Sequence, residues 1–225
     1  MAEKYGSVPP RFSKEWWDYF WTYYKGYVIA IVFVIILTVV TVVQKVNSPR
    51  YDITLTYAGP LSFSDECVEI ITDELSPMCE DVDGNGEKAL RFSELTMNPS
   101  EAEYSVVMEQ KLYLSIAVED IYLYILEGEA SLPYIGDSPD DSGFLEVKEW
   151  CKRDIPEDKL FTHNDYAYGI NVSECEVFRR ISEEYGADFS NTYLFVRYAP
   201  REDQKEQVEG FKAAKKLATE LVSGK

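Results

Sequence analysis

An N-terminal transmembrane helix followed by an α/β domain, with a mostly parallel sheet covered by helices, is the fold class this sequence predicts. Three observations carry it. Val28 to Val43 holds no charged residue and only two hydroxyls, Thr38 and Thr41. Strand-like and helix-like patterns then alternate from Tyr51 to Val222, the order that builds parallel sheets flanked by helices. Charge divides at the same point. Residues 1–46 carry five basic and three acidic residues, a net of +2, and the other 17 basic and 37 acidic residues leave −20 on the rest.

The anchor comes first. Residues 1–15 read as a polar cytoplasmic tail, with Pro9-Pro10 against a long helix. Residues 16–46 combine an aromatic belt (Trp16, Trp17, Tyr19, Phe20, Trp21, Tyr23, Tyr24, Tyr27) with the apolar run. Roughly 20 residues between Lys25 and Lys45 span about 30 Å as a helix, the thickness of a bilayer core. A cleaved signal would have a shorter apolar stretch and a small-residue cleavage site. Val42-Val43-Gln44-Lys45-Val46-Asn47 offers none, so an uncleaved signal anchor is expected. Lys25, Lys14 and Arg11 outweigh Lys45 and Arg50, which predicts an inside N-terminus and an extracytoplasmic C-terminal domain. Residues 47–50 are a short linker.

Residues 51–225 form the outer domain. Tyr51 to Tyr57 alternates as a strand and ends at Gly59-Pro60. Ser64 caps a helix through Met78. A second strand covers Ala89 to Leu95. Ser100-Glu101-Ala102-Glu103 reads as a capping box for a helix carrying Val106, Val107, Leu112, Leu114 and Ile116. Asp120 to Leu126 is apolar on both faces, hence a central strand. Residues 127–142, with Pro133, Gly136 and Pro139, read as an exposed, mobile connection. A short helix is expected over Phe144–Lys152 and a strand over Asp165–Val172. Ser173-Glu174-Cys175-Glu176 is a second capping box, opening a helix with Phe178, Ile181 and Tyr185 inward. A strand over Thr192–Tyr198 and a helix over Arg201–Val222 close the chain.

The order of elements resembles the extracytoplasmic solute-binding proteins of ABC transporters, with their type II periplasmic-binding-protein fold. The resemblance rests on Asp52-Ile53-Thr54-Leu55-Thr56-Tyr57, on Lys111 to Ala117 followed by Asp120 to Tyr124, on Tyr168-Gly169-Ile170-Asn171-Val172-Ser173 and on Phe211 to Leu221. The chain also resembles small membrane-anchored proteins of Gram-positive gut bacteria. It implies one lobe of that fold, a solute-binding role and an association with a transporter. The 179 residues after position 46 leave room for one lobe and a partial second. Asn171 stands where the family's crossover proline would be, and no ligand residue carries over.

The candidate chemistry is sparse. Asp81, Asp83, Asn85 and Glu87, with Gly86, match the start of a calcium loop of EF-hand type. Phe92 occupies the place of its twelfth-position glutamate. Calcium is the one cofactor the loop could hold; the alternative is a connection that turns well by itself. Tyr122, Tyr124, Tyr134 and Tyr168 lie near strand ends, where ligands of open α/β sheets bind, and are the candidate ligand residues. His163 is the only histidine, and no Ser-His-Asp or Cys-His pairing can be read. Adjacent acids such as Asp140-Asp141 and Glu183-Glu184 are unavoidable among so many carboxylates. Cys67, Cys79, Cys151 and Cys175 allow three disulfide pairings or four buried thiols. The acidic domain repels nucleic acid. Expected partners are the lipid bilayer and a small solute or a membrane protein. The reading is a non-enzymatic binding or interaction module at the membrane. Its alternatives are a structural subunit of an envelope complex and a cell-surface hydrolase.

Overall fold

The computed structural model describes residues 10–47, 50–97, 102–118, 120–198 and 205–223. It divides into two compact units, Met1–Arg50 and Tyr51–Lys225.

Among its described residues the first unit is one helix, α1 (Lys14–Asn47). Ser13 starts it by accepting a hydrogen bond from the Trp16 amide at 3.1 Å. Trp16 stacks on Phe20 and Phe20 on Tyr24, at 5.3 and 5.5 Å, the i, i+4 spacing of a helix face. The Thr38 and Thr41 hydroxyls donate to the carbonyls of Val34 and Leu37. The apolar run therefore presents no unmet polar group to its surroundings. Lys14–Val43 is long and apolar enough to cross a membrane, and its apolar side chains point outward all round.

The second unit is built on a six-stranded mixed sheet in the order β2-β1-β3-β6-β5-β4. Its elements are β1 (Ile53–Gly59), α2 (Asp65–Leu75), β2 (Leu90–Thr96), α3 (Ala102–Val118), β3 (Leu123–Glu127), the single turns α4 (Gly128–Ser131) and α5 (Val147–Trp150), β4 (Leu160–His163), β5 (Tyr166–Asn171), α6 (Glu176–Tyr185), β6 (Thr192–Val196) and α7 (Lys205–Ser223). Strand alternation sorts side chains onto two faces. Leu55, Tyr57, Leu123, Ile125, Leu194 and Ile170 face α2, α6 and α7 in the larger core. Ala58, Tyr124, Leu126, Tyr168 and Phe195 face α3 and the 128–144 connection in the smaller one. Helices α2 and α3 therefore cover opposite faces, and the parallel strands β2, β1 and β3 form the half of the sheet between them.

The sheet is not mostly parallel. Two pairings are parallel and three antiparallel. The overlooked element is β4, which the tight turn Asn164-Asp165 joins to β5. Both turn residues have positive φ, 49° and 67°, as a two-residue hairpin of type I′ demands. The capping box at Ser173 is also absent. Asn171 takes its place and accepts from the Ser173 amide at 3.0 Å, winding Val172–Glu174 into a 3-10 turn, and α6 starts after it at Glu176, with Cys175 at the N-cap position. Tyr185 is exposed rather than inward. The connection after β3 is packed, with Ser131 and Ile135 buried and the Gly143 amide donating to the Tyr134 carbonyl. The strand over Asp120–Leu126 starts at Leu123 and is central as expected. Ser64 caps α2 as expected. The box at Ser100 and the first residues of the last helix lie outside the described residues.

Asn171 is 4% exposed, so the Asn171-Val172-Ser173 sequon is closed to glycosylation in the folded domain. Its Nδ2 donates to the carbonyls of Phe189 and Ser190, which ties the end of β5 to the lead-in of β6. Asn171→Ala leaves three backbone groups without their partner. It is expected to lower stability by about 1–3 kcal/mol, measured by thermal unfolding of the full chain in detergent.

Candidate functional site

The predicted calcium loop folds as a chain of turns around its own carboxylates. Asp81 Oδ1 accepts from the amides of Gly84 and Asn85 at 2.7 and 3.1 Å, and its Oδ2 from Gly86 at 2.9 Å. Asp83 accepts from Asn85, and the Asn85 amide oxygen from Glu87. Gly84 and Gly86 adopt φ of 71° and 86°, which residues with a Cβ resist. A fourth residue joins. Asp52, just before β1, accepts from Val82 at 2.7 Å and Ala89 at 2.9 Å, and oxygens of Asp52, Asp81 and Asp83 lie within 4.8 Å of one another. Glu87 is not part of this group. Phe92 is in β2 and packs against the larger core, so Asp52 supplies the third carboxylate that position twelve does not. Sequence spacing could not find Asp52, because the pairing of β1 with β2 brings it there across 29 positions.

Three carboxylates at this separation repel one another, and the surrounding amides offset part of that. A hard divalent cation would neutralise it, with Asp52, Asp81, Asp83 and Asn85 supplying oxygen ligands. At a calcium concentration tenfold above the dissociation constant, binding would add about 1.4 kcal/mol of stability. Millimolar calcium is expected to raise the melting temperature of the full chain, and Asp52→Asn to abolish the shift. An unchanged wild-type melting temperature would rule out a calcium role for the loop.

The candidate tyrosines lie largely inside the domain. Tyr122, Tyr124 and Tyr168 are 5%, 0% and 0% exposed and belong to opposite faces of the sheet. Tyr122 packs edge-on against Phe211 of α7. The Tyr124 hydroxyl shares a 2.8 Å hydrogen bond with Ser115 of α3. Tyr134 is half-buried in the turn after α4, and burial raises its phenol above the usual range. Both faces of the sheet are roofed, so a tyrosine near a strand end is buried on whichever face it lies. The Tyr168 hydroxyl is buried without a hydrogen-bond partner among the described residues. Removing it frees the fold from an unmet polar group. Tyr168→Phe is therefore expected to leave the melting temperature unchanged or raised, and a clear drop would show that the hydroxyl has a partner.

Other chemistry-bearing side chains are dispersed. Among the described residues all four cysteines are free and buried, and burial pushes Cys79 and Cys175 up to about 12, so both are protonated at neutral pH. His163 ends β4 beside its turn. Glu183 and Glu184 are exposed on α6, and Asp140 and Asp141 in the turn before Ser142. A cavity of about 410 Å³ opens where β5 meets α6, lined by Lys159, Ser173, Arg179, Ser182, Glu183 and Ser190 among others. Lys159 donates to Ser173 at 3.3 Å there. Its lining is mixed, with both signs of charge and several hydroxyls beside Phe178 and Phe189.

The feature that sequence reading missed is the outer side of α3. Leu112, Ser115 and Ile116 are buried. Tyr104, Val106, Val107, Tyr113 and Leu114 are all 48–61% exposed. The signal was present: the helix has more apolar residues than one inward stripe accommodates. An apolar patch of this kind on an otherwise charged domain makes this face of α3 a candidate docking surface.

The class defined by these observations is a mixed α/β domain that follows one helix long and apolar enough to span a membrane. No family model, curated protein or solved structure matches the chain.

Proposed function

We propose that this protein is a single-pass membrane protein whose α/β domain is a non-enzymatic docking module on the extracytoplasmic face. The observation that carries the reading is the exposed apolar face of α3. The residues from Tyr51 onward form one compact unit, which favours docking over closure of two lobes on a solute. The bias of Lys25, Lys14 and Arg11 supports the inside N-terminus. The domain is, in this proposal, a reduced relative of the type II periplasmic-binding-protein lobe. Its three parallel strands with helices on opposite faces support that relation. A second reading, capture of a small polar solute, draws on the cavity beside Lys159 and Arg179.

Surface substitutions on α3 separate docking from packing. Tyr113→Glu with Leu114→Glu is expected to change stability by no more than about 0.5 kcal/mol per site and to remove a higher-mass species from native gels of solubilised membranes. Persistence of that species, or a wild-type chain that runs only as a monomer, would overturn the docking reading. Protease added to intact cells is expected to degrade the chain beyond Asn47, and full protection would overturn the orientation.

A further inference from the structure

We propose that the partner of the α3 face is a second copy of this chain, packed antiparallel on the same helix. This rests on the docking reading above. The exposed residues of α3 are arranged about its midpoint. Tyr104, Val106 and Val107 lie toward one end, Tyr113 and Leu114 toward the other, and Gln110 and Lys111 between. Residues three, four and seven apart share a helix face, so 104, 107, 111 and 114 form one stripe and 106, 110 and 113 the next.

A two-fold axis opposite Glu109 makes this pattern complementary to itself. Tyr104 then packs on the partner's Leu114 across the axis, and the contact occurs twice. Val107 covers the aliphatic stem of the partner's Lys111. The ammonium of Lys111 then reaches toward the partner's Glu103, one helical turn from Val107. Lys111 has no ion-pair partner among the described residues. It is the single base on the outward face from Glu103 to Ala117, and its spacing from Glu103 gives the face opposite charges at matching places. An arbitrary protein partner has no reason to mirror that arrangement. A bilayer surface carrying anionic headgroups is disfavoured by the domain's net charge of about −20 at neutral pH.

The size of the patch fits a membrane-tethered pair. Five half-exposed side chains present on the order of 500 Å², as large as the largest patches on ordinary soluble proteins. That falls short of the roughly 800 Å² per partner of a stable interface in solution. Anchoring both copies in one membrane raises their effective concentration and makes a modest interface sufficient.

The test uses the full chain in native membranes. Gln110→Cys is labelled with a photoreactive maleimide, which the buried native thiols do not take up, and illuminated. Asp73→Cys, exposed on α2, is the control. The expected product is an adduct of twice the monomer mass from position 110 and none from position 73. An adduct with a different protein overturns the paired-copy proposal and leaves the docking reading intact. Adducts with lipid alone, or none, overturn both. Register is tested by charge: Glu103→Lys and Lys111→Glu are each expected to lower the dimer adduct by about fivefold or more, and the double variant to restore it. A double variant that stays low overturns the antiparallel pairing.

Discussion

Strand β3 has no solvent on either side, and the domain depends on that. Leu123, Tyr124, Ile125 and Leu126 are all fully buried. Its backbone pairs parallel with β1 and antiparallel with β6, so its backbone polar groups are met within the sheet. Both faces must then be roofed by apolar side chains. The residues of α2, α6 and α7 roof one face, and α3 with the 128–144 connection roofs the other. Fully burying each of these side chains is worth about 1.5–3 kcal/mol, and they divide two to each face.

The two roofs are unequal, and the inequality produces the candidate surface. Three helices share the larger core, so each can place a full stripe inward. The smaller core is served by α3 and irregular chain. Leu112 and Ile116 of α3 fill the space over Tyr124 and Leu126. Met108 packs at their edge, and Tyr104, Val106, Val107, Tyr113 and Leu114 are left exposed. The second polar feature follows from pairing in the same way. Once β1 lies beside β2, the residue before β1 meets the loop before β2, and Asp52 arrives at Asp81 and Asp83.

Most elements were legible because their local chemistry agreed with their final place. Ser64 is a helix cap in sequence and in structure. Charge-free Val28 to Val43 could be nothing but an apolar helix, and α1 contains it. The failures fall where two local codes compete. Asp165 reads as the start of a strand unless it and Asn164 are allowed positive φ, and that choice creates the β4–β5 hairpin. Ser173 and Glu176 match a capping box, but Asn171 reaches the Ser173 amide first and diverts the backbone into a 3-10 turn. Tyrosines near strand ends read as rim residues, but both faces of the sheet are roofed and Tyr122, Tyr124 and Tyr168 are buried.

The sequence by itself determined the apolar helix, the acidic α/β domain after it and the central strand, because each depends on composition or period within a short window. Only the tertiary structure decided that half the sheet runs antiparallel, that Asp52 completes a carboxylate group, that the tyrosines are core, and that α3 turns five apolar residues outward. Each of those depends on which neighbour a residue meets across tens of positions, and no local pattern encodes how much room the neighbouring elements leave.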